Sequence, residues 1–173
     1  MFGGGGADTL IGGGGSDVLH SGFGQDTIVF GVGHGQDVLI DKRQYGVSHA
    51  RYRNHNELPD IIYLQNVDKE SVWFQRDGDD VVISILGTDD SLTIKDLYKD
   101  LSSVAHWSTA IKKGGGGVVI GSEYVQYAHI NALIQAMAGF APGKGASAYG
   151  VNAGDIPASV QIAQNNYWRT IEP

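Results

Sequence analysis

The sequence predicts a mainly β protein: a parallel coil of very short strands first, a capping antiparallel β region next, and C-terminal α-helices last. Three observations carry that prediction. Residues 3–40 repeat a nine-residue unit, written GGGGADTLI, GGGGSDVLH, SGFGQDTIV and, after the insertion Phe30-Gly31, VGHGQDVLI. Residues 60–96 hold four runs rich in β-branched and aromatic residues, separated by Asn, Asp and Gly turn signals. Beyond residue 122 the apolar positions recur every three and four residues, the period of a helix.

The repeat is strict in its spacing. Asp8, Asp17 and Asp26 fall nine apart, and Asp37 follows eleven later. Glycine stands two before each Asp (Gly6, Gly15, Gly24, Gly35) and four before it (Gly4, Gly13, Gly22, Gly33). A large aliphatic stands two after it: Leu10, Leu19, Ile28 and Leu39. Six Gly-rich residues make a turn, and the last three make a strand whose aliphatic points inward. Two units return the chain to its starting edge, so units one and three stack, as do two and four. A flexible glycine linker would not keep Asp and aliphatic positions in register.

Stacking at about 4.8 Å brings Asp8 over Asp26 and Asp17 over Asp37. Carboxylates about 5 Å apart repel by roughly 1 kcal/mol in water and roughly 3 at an effective dielectric of 20. A spine of four aliphatics is too thin to offset both that repulsion and the ordering entropy of the glycines. A hard divalent cation reverses the sign. Ca²⁺ takes six to eight oxygens in flexible geometry, and a Gly-rich turn exposes carbonyls beside its carboxylate, whereas Mg²⁺ demands a tight octahedron and keeps its waters. A phosphate loop is a poor alternative, because an Asp inside each turn would repel the anion.

These units resemble the GGxGxDxUx nonapeptide of the repeats-in-toxin (RTX) family, a calcium-binding repeat. Units one and two match every position; units three and four carry Ser21 and Val32 in place of the first Gly. The resemblance implies a parallel β-roll that binds at least two Ca²⁺ ions through carboxylates and turn carbonyls. One implied site is Gly4, Gly6 and Asp8 with Ser21, Phe23 and Asp26. The other is Gly13, Gly15 and Asp17 with Val32, His34 and Asp37. Ser21 and Val32 would supply only their carbonyls, so these departures weaken the geometry more than the ligand set. Pro59-Asp60-Ile61-Ile62 reads as a decayed fifth unit, with Asp60 stacked over Asp26 and closing a third, weaker site.

Length and composition bound the rest. The chain has 173 residues, room for one ordinary domain or two small ones. A net charge of −7 argues against a nucleic-acid or anionic-membrane partner. Cysteine is absent, so no disulfide framework exists and the redox compartment cannot be read from it. No apolar run reaches membrane-span length, and no charged-then-apolar leader opens the chain. Met1-Phe2 enters a repeat directly, so a fragment of a longer array is expected.

The stretch 42–59 is polar and locally basic, a solvated insertion or a contact loop. The runs IIYLQ, VWFQR, VVISIL and LTIK then read as an antiparallel meander that continues the sheet and covers the last coil. The segment FGVGHGQDVLID (30–41) followed by VWFQRDGDDVVISILGTDDSLTIKDLY (72–98) is similar to the capping region of RTX cytolysins of the adenylate cyclase toxin type. The resemblance spans about residues 3–100. Residues 104–112, 114–117 and 118–120 read as strand, turn and strand. Ser122 reads as the N-cap of a helix ending near Gly139, with Ile130, Leu133, Ile134 and Met137 as its stripe. AGFAPGKGAS lacks the spacing and the Ser or Thr of a nucleotide-binding loop. Residues 141–155 read as a loose linker. Asp155 and Pro157 then open a last amphipathic segment with Ile156, Val160, Ala163 and Tyr167 on one face, sparse in charge and expected to pack little.

This divides the chain into a repeat region (1–62), a capping β/α region (63–140) and a tail (141–173). His20, His34, His49, His55, His106 and His129 show no metal-ligand spacing, and no nucleophile motif is present, so no enzyme activity is expected. The resemblance implies the C-terminal module of a toxin-like parent, folding on calcium outside the cell. It further implies export by a type I secretion apparatus that reads a signal in the tail, and a secreted, extracellular location, free or associated with the cell surface. Membrane contact would come only through upstream parts of a cytolysin. Two other parents remain open, a secreted hydrolase (protease or lipase) and a large surface adhesin.

Overall fold

The computed structural model describes residues 1–40, 60–97, 116–138 and 156–171. The basic stretch 42–59, the run 104–112 and the linker 141–155 lie outside the described residues, as do His49, His55 and His106.

Short strands separated by glycine turns alternate between two sheets. Strands β1 (Phe2–Gly5), β3 (Val18–Phe23) and β5 (Gln36–Ile40) pair in parallel in one sheet. Strands β2 (Thr9–Ile11), β4 (Thr27–Gly31) and β6 (Ile61–Gln65) do the same in the other. Each sheet then gains a fourth parallel strand, β9 (Ser91–Ile94) beside β5 and β10 (Gly117–Ile120) beside β6. Antiparallel strands finish both sheets. Strands β8 (Asp80–Ile85) and β7 (Val72–Asp77) follow β9, and β11 (Glu123–Gln126) and β12 (Arg169–Thr170) follow β10. The two orders are β1-β3-β5-β9-β8-β7 and β2-β4-β6-β10-β11-β12.

Register follows the repeat. Leu10 lies beside Ile28 and Ile28 beside Ile62, while Leu19 lies beside Leu39. All five are buried in one core with Leu64, Ile83 and Leu92. The Phe30-Gly31 insertion becomes two further residues of β4, and it buries Phe30 completely.

The meander expected over residues 61–95 is corrected in part. Only β7, β8 and β9 form it; β6 joins the opposite sheet, parallel to β4. Alternation alone points Ile62 and Leu64 inward in either sheet. The choice is made by Asp60, whose carboxylate accepts the Asp26 amide, and by continuous pairing from Thr27↔Ile61 to Gly31↔Gln65.

Ser122 does not cap a helix. Gly121 (φ 55°) and Ser122 form a two-residue hairpin loop between β10 and β11, with Ile120 opposite Glu123. Val125 is buried opposite Val118, so residues 123–126 gain more as a strand than as a first helical turn. Helix α1 (Tyr127–Ala138) starts after it, with Ile130, Leu133, Ile134 and Met137 buried. It lies against β7, where the Met137 sulfur accepts the Phe74 amide at 3.2 Å.

The C-terminal segment packs far more than its composition implies. Helix α2 (Ala158–Tyr167) follows Pro157 and lies against α1. Ile156, Val160, Ala163 and Trp168 join the core, and Gln164 Nε2 donates to the carbonyls of Lys69 and Val72. Strand β12 then pairs with β11, and the Ile171 amide donates to the Ser122 carbonyl. No helix among the described residues is long and apolar enough to cross a membrane.

Candidate metal centre

The turns between strands are built by glycine at the two places the repeat reserves for it. Gly6 (φ 111°) and Gly24 (φ 118°) adopt a backbone that L side chains rarely enter, and a Cβ on Gly24 would collide with the Gly6 carbonyl oxygen. The carbonyls of Gly4 and Gly6 therefore face the turn of unit three, and the Gly15 carbonyl faces that of unit four. From the other side the Phe23 carbonyl accepts the Gly6 amide at 2.9 Å, and the His34 carbonyl accepts the Gly15 amide at 3.1 Å. Each turn thus presents oxygens to its stacked neighbour. Each carbonyl already in a backbone bond keeps a second lone pair.

The carboxylates stack in the same sense. Asp26 Oδ1 accepts the Asp8 amide at 2.9 Å, and Asp37 Oδ1 accepts the Asp17 amide at 2.9 Å. Asp60 Oδ1 accepts the Asp26 amide at 3.0 Å and extends the first stack. Asp26, Asp37 and Asp60 are 0%, 1% and 4% exposed.

One oxygen of each bonded carboxylate is thereby fixed, and the others supply the test of fit. Asp8 Oδ2 and Asp37 Oδ2 are buried with no hydrogen-bond partner. A Cβ on Gly12 would sit 2.9 Å from Asp37 Oδ2 and 3.2 Å from Asp17 Oδ2, so both carboxylates approach one point that glycine leaves open. Beside Gly3, Asp8 Oδ2 and the Ser21 carbonyl converge in the same way. Buried anionic oxygens without donors are costly unless a cation meets them. Burial pushes the Asp37 carboxyl above its ordinary value; the Asp17 amide opposes the shift, the Asp17 charge adds to it, His34 opposes it and Asp90 adds to it.

The donor set is all oxygen, carboxylate plus carbonyl, which suits Ca²⁺. Among the described residues no three His, Asp or Glu side chains converge, so carbonyls would have to complete any coordination shell. Gly13 (φ 85°) holds the place in unit two that Gly4 holds in unit one, and Val32 and His34 lie in the turn of unit four. The side chains of Phe23 and Val32 are exposed and play no part.

One residue escaped the sequence reading. Asp90, just before β9, accepts the Gly33 amide through Oδ2 at 2.9 Å and the Gly35 amide through Oδ1 at 2.6 Å. Asp90-Ser91-Leu92 has the Asp-x-aliphatic spacing of the repeat, the signal by which it could have been found.

Residues 2–37 match the family model of the RTX calcium-binding nonapeptide repeat, in four copies. The match covers both stacked Asp pairs and ends before Asp60. These repeats bind calcium, and they make the N-terminal part of the chain a calcium-binding repeat region.

Proposed function

We propose that residues 1–62 form a parallel β-roll holding at least two Ca²⁺ ions, and that calcium binding drives folding of the whole module. The observation that carries this reading is the pairing of stacked carboxylates whose second oxygens are buried without donors at Asp8 and Asp37. Units one and three would hold one ion through Gly4, Gly6, Asp8, Ser21, Phe23 and Asp26. Units two and four would hold another through Gly13, Gly15, Asp17, Val32, His34 and Asp37. Asp60 continues the first stack toward a third, weaker position.

Linkage supplies the switch. A ligand that binds only the folded state stabilises it by RT ln(1 + [L]/Kd), about 2.7 kcal/mol per site at a hundred times Kd. Without the ion, like charges in the stacks oppose closure of the turns. The role is binding and structural rather than catalytic.

The same reading makes the chain the C-terminal module of a secreted, toxin-like protein exported by a type I secretion system, with its signal in residues 141–173. The packing of α2, Trp168 and β12 fits a signal that is read before the module folds, since folding buries part of it. Low calcium inside the producing cell would keep that segment accessible.

Circular dichroism of the purified chain with a chelator, then with excess Ca²⁺, tests the central claim. A conversion from largely disordered to β-rich is expected, with a much smaller response to equal Mg²⁺. An unchanged spectrum removes the calcium reading.

A further inference from the structure

We propose that Asp90 is a positioning residue for the site of units two and four: by holding the Gly33 and Gly35 amides it aims the Val32 and His34 carbonyls at that site. The inference rests on the calcium reading above.

The geometry follows from the peptide plane. In a trans peptide the N–H and the C=O of the same unit point in opposite directions, and no cis peptide bond occurs among the described residues. The Gly33 N–H shares its plane with the Val32 carbonyl, and the Gly35 N–H with the His34 carbonyl. Both N–H groups point to Asp90, on the β9 side, so both carbonyls point back toward unit two. The His34 carbonyl does so visibly, since it accepts the Gly15 amide at 3.1 Å.

Within the array this task belongs to the next turn. The Phe23 carbonyl holds the Gly6 amide, and the His34 carbonyl holds the Gly15 amide. After unit four, one carboxylate takes both amides. Its position comes from a change of register: Gln36 pairs with Ser91, so Asp90 falls beside Gly35 and not beside Asp37. Asp90 is buried, and its own amide donates to Thr88 Oγ1, which in turn donates to the Ile85 carbonyl.

A carboxylate does more here than a carbonyl does. Its hydrogen bonds are charge-assisted, and they polarise each peptide so that electron density gathers on the far carbonyl oxygen. Partners of metal ligands that orient them in this way commonly change metal affinity by about 10–100-fold when removed.

Calcium titration of the full chain, with carbonyl ¹³C shifts followed by NMR, tests the assignment. In the unsubstituted chain calcium is expected to shift the Gly4, Gly6, Val32 and His34 carbonyls. In Asp90→Asn at saturating calcium, the Val32 and His34 shifts should shrink while Gly4 and Gly6 keep theirs. Binding of one ion should weaken by about 10-fold or more while the other is retained. Asp90→Glu should restore part of the loss. Equal weakening of both ions, or unchanged Val32 and His34 shifts, would overturn the proposal and leave the calcium reading standing. If Asp90→Asn does not fold at any calcium concentration, Asp90→Glu decides by the same contrast. An unsubstituted chain with no calcium-induced shift overturns both.

Discussion

The amide of Asp26 donates to Oδ1 of Asp60, 34 residues further along, with the geometry that joins Asp8 to Asp26. A residue outside the matched repeats thus completes their stack. Replacing Asp60 by Ala leaves the buried Asp26 amide without that acceptor, a loss of about 1–3 kcal/mol. Thermal unfolding in excess calcium should show the drop, and an unchanged midpoint would separate Asp60 from the stack.

Glycine positions of the repeat should differ sharply in tolerance. Gly24→Ala forces a side chain into a positive-φ backbone and against the Gly6 carbonyl. Strain alone should cost about 1–3 kcal/mol, raising the calcium concentration needed for folding. Gly5→Ala meets no atom within 4 Å and should stay within about 0.5 kcal/mol of the parent. Calcium midpoints for the two variants, measured side by side, check the contrast.

Deleting residues 156–173 should impair calcium-dependent folding. The sequence alone suggests a separable tail, but Ile156, Val160 and Trp168 are core residues and β12 closes a sheet. Trp168→Ala should cost about 3–5 kcal/mol by itself. A calcium titration of the deleted chain that overlays the parent would show that the cap stands without it.

Metal-free chain should respond to acid in the direction set by Asp37. Its carboxyl is raised above 3.8 chiefly by burial, with Asp17 and Asp90 adding to the shift. A raised carboxyl binds its proton more tightly in the folded state. Its contribution is therefore fully present below the unfolded value and is lost as pH rises through the folded one. In chelator, β content should increase as pH falls from neutral toward the ordinary carboxylate range, and Asp37→Asn should flatten that dependence. Circular dichroism against pH gives the answer.

The repeat was legible because its spacing dictates its contacts. Asp every nine residues, with glycine at fixed offsets, allows the stacks Asp8–Asp26 and Asp17–Asp37 and little else. Asp60 was legible for the same reason, through Ile62 two residues on. Asp90 was not, because β9 slips by two residues against β5 and takes its carboxylate out of the stack. An even slip keeps Leu92 and Ile94 facing the core, so the hydrophobic pattern carries no trace of it. The sheet to which β6 belongs was hidden likewise, since alternation says which face is apolar and not which neighbour is paired. Ser122 misled because serine suits helix caps and turns alike. The last helix misled because sparse charge resembles a loose end, whereas here uncharged Gln164 faces backbone carbonyls inside the core.

The register of the two sheets also sets a kinetic order. Carboxylate contacts inside the array join residues 18 and 20 apart, whereas those of Asp90 join residues 55 and 57 apart. Closing the longer loop costs only about 1 kcal/mol more in chain entropy. Yet that closure precedes every contact that rewards it, while each inner coil is rewarded at once. Low contact order within the array and higher contact order at its end predict that β9 docks onto β5 only after the inner coils have formed.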